Sequence, residues 1–308
     1  LSLLAGLRLA SRTVVACALA VQVGAGLMFF AAWLGRAAAE GATALAHASF
    51  WAPLALGLAG LIGAWRLHRQ TLATAWQPLD LPRLSAALSL WGALWWARAW
   101  ASEILRFAPT DLHTALLLVA LALSMALWAW LALRLRWPML ALLCTGWVPV
   151  AAVVLVAGYF EGYHPAVGFG WLAWPLLFAV HFLSLRRLAP MLPARALSAA
   201  HVLGCWLLIG VLALELRYAM VLMAEQYNAW RWLGWALLPS LYLVLAALPR
   251  AWPWPVSAYA REYRVYAALP LAGLMLVWFW LANAFSAGNA EPLPYVPLLN
   301  PLELGLLF

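Results

Sequence analysis

The chain has 308 residues, of which 68% are hydrophobic and only 9% charged, with a formal net charge of +8. Soluble globular chains carry about 25% charged and about 45–50% apolar residues, so this composition excludes a water-soluble domain and makes the bilayer the solvent. All eighteen basic residues are Arg, set in short clusters between apolar stretches; that placement marks topology determinants and argues against a nucleic-acid partner.

A membrane-spanning helix needs about 20 mostly apolar residues. In chain order, nine stretches qualify: Val14–Leu34, Ser49–Trp65, Leu84–Ile104, Leu112–Leu133, Pro138–Phe160, Phe169–Leu185, Ala196–Leu214, Trp232–Leu248 and Tyr266–Phe285. A tenth begins near Leu298 and is truncated. The expected fold class is therefore all-α: a polytopic transmembrane helix bundle of nine complete spans plus part of a tenth. Residues 1–308 read as a single membrane-embedded domain. The chain starts at Leu1 and ends at Phe308 partway through an apolar run, so it reads as a segment of a longer protein.

The Arg residues alternate with the spans. Thirteen fall on the side of the N-terminus, from Arg8 and Arg12 to Arg250, Arg261 and Arg264; five (Arg36, Arg98, Arg106, Arg217, Arg231) fall on the other. Seven of the ten acids lie on that second side. The positive-inside rule then places the N-terminus in the cytoplasm. The absence of Lys beside abundant Ala, Leu and Trp points to a GC-rich bacterial genome, hence a bacterial cytoplasmic (inner) membrane.

Loops between spans are short. The segment Glu215–Arg231 is expected to lie as an amphipathic helix in the outer interface. Four prolines between Ser286 and Leu304 (Pro292, Pro294, Pro297, Pro301) rule out a continuous helix there. Pro149, Pro175, Pro239 and Pro270 fall inside spans and free backbone carbonyls that can kink a helix or line a cavity.

Chemistry has few places to sit. Many of the 22 Trp lie near span ends, as an interfacial aromatic belt would. Trp91, Trp95, Trp96 and Trp100 instead follow helical spacing in the third span, around Arg98. Arg98 either snorkels beside Glu103 or binds an anionic lipid group through its planar donor fork. Arg98, Trp95, Trp96 and Trp100 are thus the candidate lipid-binding set, for a lipid-linked or polyprenyl-phosphate ligand. Glu103, Asp111, His113, Glu161, His164 and Glu215 come from the outward ends of spans three to seven. They could converge for general acid–base work or on a metal; the plainer expectation is solvated loop ends, with Asp111 capping the fourth helix. His181 and His201 lie inside spans and are expected as interhelical hydrogen-bond partners. Cys17, Cys144 and Cys205 all sit in apolar stretches and read as packing residues. No cofactor or metal motif is present.

The stretch NAEPLPYVPLLNPLEL, with GYHPAVGFGWLAWPL, LELRY and AWRWLGWALLPSL upstream in the same order, resembles a family of large multi-pass bacterial membrane proteins known as domain of unknown function 2339. The likeness is best from about residue 160 onward. It implies a polytopic helical architecture within a longer chain and carries no established catalytic residues. The expected function is an envelope-associated multi-pass membrane module. The alternatives are an outward-facing enzyme transferring a glycosyl or acyl group on a lipid-linked substrate, and a transporter or flippase.

Overall fold

The computed structural model describes residues 5–6, 9, 11–34, 43–70, 80–160, 164–223, 228–286, 296 and 300–307. The described residues are helical and include no strand. In order, the helices are α1 (Arg12–Leu34), α2 (Ala48–Gln70), α3 (Leu81–Phe107), a 3-10 turn Thr110–Leu112, α4 (His113–Leu135), α5 (Pro138–Leu143), α6 (Trp147–Phe160), α7 (Gly170–Leu188), α8 (Ala194–Met223), α9 (Asn228–Ala247), a π-helical turn Glu262–Ala267, α10 (Ala268–Phe285) and α11 (Pro301–Leu307). Among the described residues, seven helices are long and apolar enough to cross a membrane. α3 spans 27 residues but carries Arg83, Arg98, Glu103 and Arg106, and α9 is apolar over a shorter stretch, Trp232–Ala247.

Three local departures from the expected spans have physical causes. The fifth stretch is broken by a turn at residues 144–146. Pro149 cannot return an N–H to Thr145, and its ring crowds that carbonyl. The segment after Leu214 continues α8 to Met223 and does not form a separate interfacial helix. Asp111 lies within the 3-10 turn, and α4 starts without a side-chain cap. α4 ends at Arg136, in the left-handed region (φ 49°), while the Trp137 N–H closes on the Ala132 carbonyl at 3.0 Å; Pro138 then prevents continuation. Most of the Pro-rich stretch, residues 287–295 and 297–299, lies outside the described residues.

The chain forms two compact units, Leu1–Ala120 with Trp128–Leu143, and Leu121–Leu127 with Cys144–Phe308. In the first, small residues let α2 and α3 approach backbone to backbone. A Cβ on Gly60 would stand 2.9 Å from the Cα of Gly92, and one on Gly92 2.8 Å from the carbonyl of Gly57. Small residues at a crossing permit the van der Waals contact that drives helix association in lipid, where the hydrophobic effect gives no help. Ser85 adds an interhelical bond, its hydroxyl donating to the Ala64 carbonyl at 2.8 Å. Gly26 of α1 receives the Trp91 ring so closely that any side chain there would collide with it.

In the second unit, α8 packs against α6, α7, α9 and the π turn, and α9 also meets α10 and α11. His181 of α7 lies against Gly204 of α8, where a Cβ would come within 2.6 Å of its Nε2. The π turn precedes Pro270, which returns no N–H to the preceding turn. Its carbonyls are used by neighbours: the Tyr242 hydroxyl donates to Tyr263 at 2.6 Å and the Trp206 indole N–H to Ala267 at 3.0 Å.

Candidate functional site

The sequence candidates separate into local clusters. In the first unit, the buried Glu103 reaches the loop before α2. It accepts from the Leu45 N–H at 2.5 Å and from His47 Nε2 at 2.9 Å. His47 Nδ1 in turn lies 2.6 Å from the Ser49 hydroxyl. With the proton on Nε2, Ser49, His47 and Glu103 form one hydrogen-bonded row. Leu45 is left-handed (φ 62°), and the turn is pinned from outside by the Trp51 indole donating to the Leu45 carbonyl at 2.8 Å. His47 and Ser49 were not among the sequence candidates: they lie more than 50 residues from Glu103, and only the fold joins them.

His113 ties α3 to α4 by donating to the Ala108 carbonyl at 3.0 Å. Asp111 is exposed in the 3-10 turn between them. The third-span aromatics pack against their neighbours in this unit. Trp95 is buried and meets Phe29 edge-on at 5.7 Å and Trp91 at 5.6 Å. Trp96 and Trp100 are half-buried against the Phe50, Leu54 and Ala99 cluster. The Arg98 guanidinium lies over the Phe29 ring at 6.0 Å.

In the second unit, His164 donates from Nδ1 to both Glu215 oxygens at 3.1 Å, and the Ala166 N–H donates to the same carboxylate at 2.9 Å. The imidazole stacks on Tyr218, with centroids 3.9 Å apart. This clamp holds the turn leading into α7, where Gly168 and Phe169 are both left-handed (φ 53° and 66°). Phe169 has no glycine's freedom to adopt that conformation, so the clamp has something to hold. Glu161 lies outside the described residues.

The intramembrane histidines are hydrogen-bond partners, as expected. His181 donates from Nε2 to the Ala200 carbonyl at 3.3 Å. His201 is fully buried, accepts from the Tyr263 hydroxyl at 2.9 Å and stacks on Tyr259 at 4.0 Å. Above this node, toward the Met223 end of α8, a cavity of about 640 Å³ opens between α8, α9 and α10. Its walls are almost wholly apolar, with four Trp among them. Sequence reading missed it because Trp206, Trp232, Trp235 and Trp278 belong to three different helices, each of which alone looks like part of an aromatic belt. Among the described residues, no three His, Cys, Asp or Glu side chains come together to hold a metal ion.

These features define a multi-pass helical integral membrane protein with aromatic clusters between its helices. The chain matches the family model described as predicted membrane protein (DUF2339) over residues 1–308, well beyond the half that carries the clearest sequence likeness. It belongs to that family, whose function is unknown. No curated protein and no solved structure matches it.

Proposed function

We propose that this chain is a non-catalytic, envelope-associated module of a bacterial cytoplasmic membrane, forming one domain of a longer protein and crossing the membrane nine times with its Leu1 end inside. What supports this reading is how the outward carboxylates are used. Glu103 and Glu215 each accept from a histidine and from a loop N–H, at Leu45 and at Ala166 respectively. A carboxylate on one helix that holds two donors of a separate loop is engaged in positioning backbone. In this reading the two histidine–carboxylate clamps keep the outer loops in one conformation, as a surface for other envelope components requires.

One observation favours a second reading, acyl transfer at the outer face. Ser49, His47 and Glu103 have the residue types and spacings of a nucleophile, a base and an orienting acid. The ring nitrogens are used in the opposite order to the serine-protease arrangement, where Nε2 meets the serine. In such a reaction Ser49 Oγ would attack the acyl carbonyl and pass its proton to His47 Nδ1. The departing alcohol would take that proton as the carbon–oxygen bond breaks, leaving an ester on Ser49 for an acceptor alcohol. A lipid-linked ligand near Arg98, Trp95, Trp96 and Trp100 belongs to this reading.

Treating membranes with a fluorophosphonate probe and mapping the adduct by mass spectrometry separates the two. No adduct on Ser49 is the outcome expected for the non-catalytic module. An adduct on Ser49 that disappears in His47→Gln would establish the second reading instead.

A further inference from the structure

The cavity of the second unit has a floor, a far wall and a charged rim. The floor is Trp206, fixed by its indole N–H donating to the Ala267 carbonyl at 3.0 Å. Across it, Trp232 of α9 and Trp278 of α10 meet edge-on at 6.3 Å. Pro239 and Pro270 face the space from α9 and α10, and neither offers an N–H to a polar ligand. Gly210 of α8 lines it, and a Cβ there would meet nothing within 4 Å. The space therefore continues to the α8 backbone.

Among the described residues, charge reaches the cavity at Arg217. Arg217 follows Gly210 and Ala213 on the same face of α8, in i, i+3, i+7 register. Its guanidinium lies over the Trp235 ring, itself a cavity wall, at 5.3 Å from the centroid. An apolar cleft in a lipid-facing bundle with a planar cation at its rim matches an amphiphile with an anionic head. Arg is suited to a phosphate because its forked donors engage two oxygens at once.

Size selects among such amphiphiles. At about 30 Å³ for each small group, the share a water molecule takes in its liquid, about 640 Å³ holds on the order of twenty methylene-sized groups. That matches one acyl chain of a phospholipid. We propose that the cavity between α8, α9 and α10 binds one acyl chain of an anionic phospholipid, whose phosphate pairs with Arg217 at the rim. This site is distinct from Arg98 and its tryptophans in the first unit. It requires only that the chain is in a membrane, so it stands whichever reading of function is correct.

The test is native mass spectrometry after reconstitution into vesicles of equal phosphatidylglycerol and phosphatidylethanolamine and release in a mild detergent. The wild-type chain is expected to keep one phosphatidylglycerol. Gly210→Phe puts a ring into the cavity from its α8 wall and should cut that occupancy by about tenfold. Gly273→Phe is the matched control: it lies on α10, also faces open space, does not line the cavity, and should leave occupancy unchanged. Arg217→Gln should keep a lipid but lower the preference for phosphatidylglycerol by about two- to fivefold. A lipid-free wild-type chain, a dimer in place of the lipid, a retained polyprenyl phosphate, or equal occupancy in Gly210→Phe would each overturn the site. An unchanged preference in Arg217→Gln would overturn the headgroup assignment. If Gly210→Phe does not fold, phosphatidylglycerol with a photoactivatable group in its acyl chain decides the matter on the wild type. Adducts concentrated at residues 206–213 and 270–281 support the site; adducts spread equally along α1 and α4 overturn it.

Discussion

At the scale of single residues, several buried polar groups are paired, and the pairs make different demands. Tyr263 uses both its polar ends: its hydroxyl donates to His201 Nδ1 at 2.9 Å, and its carbonyl accepts from Tyr242 at 2.6 Å. Tyr263→Phe keeps the ring and the carbonyl but strands a buried imidazole nitrogen. Leaving a buried group unsatisfied costs about 1–3 kcal/mol, so the variant should unfold earlier in a detergent or SDS titration by that amount. His201→Leu with Tyr263→Phe should recover part of the loss, because the stranded nitrogen is gone. Glu103 makes a different prediction. It holds the Leu45 N–H and His47, so in Glu103→Ala the Leu45 amide should exchange with deuterium about tenfold faster or more, while amides in α4 keep their rates. These pairings were only half legible. Glu103 and Glu215 stood out as outward acids, but His47 lies 56 residues from Glu103 and His164 lies 51 from Glu215. Spacing along the chain carries no trace of contacts that distant; the folding of loops over span ends creates them.

At the scale of elements, the apolar stretches were readable because a bilayer demands length and apolarity whatever the packing partners are. The expected first, second, sixth and eighth stretches all reappear as helices with modest extensions. The end of α8 was not readable. Glu215, Arg217 and Tyr218 look like the start of a separate interfacial helix because they are polar after a long apolar run. They remain in α8 because each finds a partner on its own unit: His164 for Glu215, the Trp235 ring for Arg217, and a stacked imidazole for Tyr218. Helix contacts were legible only as small residues at helical spacing, and the α2–α3 crossing is where they matter most. Gly92→Leu would push a side chain into the Gly57 carbonyl and the Leu61 backbone at 2.8 Å. Neither backbone can yield without separating the helices, so overpacking should cost about 1–3 kcal/mol. The measurement is the temperature at which half the detergent-solubilised protein aggregates. Gly24→Leu on α1, where a Cβ meets nothing within 4 Å, should leave that temperature unchanged or raise it. Equal losses in the two variants would mean that the crossing is not what limits stability.

At the scale of the whole molecule, the remaining question is which helices cross. Among the described residues seven helices qualify by length and apolarity, whereas the alternation of Arg along the chain asks for nine spans, adding α3 and α9. The case for α3 is physical. Arg98 is half-buried over Phe29, and Glu103 is closed into a hydrogen-bonded cluster. A charge so engaged costs far less in a membrane than a bare one. Single cysteines read the crossings directly, once Cys17, Cys144 and Cys205 are replaced by Ala. Thr43, Thr110 and Ala251 are exposed positions between helices. With nine crossings and a cytoplasmic N-terminus, a membrane-impermeant maleimide applied to intact cells should label Thr43→Cys and Thr110→Cys. It should reach Ala251→Cys only after the cells are opened. Thr43 and Thr110 are separated by α2 and α3 alone, so they share a side only if both helices cross or neither does. Labelling of Thr43→Cys without Thr110→Cys would remove α3 from the spans. The reverse pattern at all three positions would keep the nine crossings and turn the protein over, placing the Arg-rich loops outside against the positive-inside rule. The latter result would be the more informative failure, because the Arg alternation is the only sequence feature that counts the spans and orients them at once.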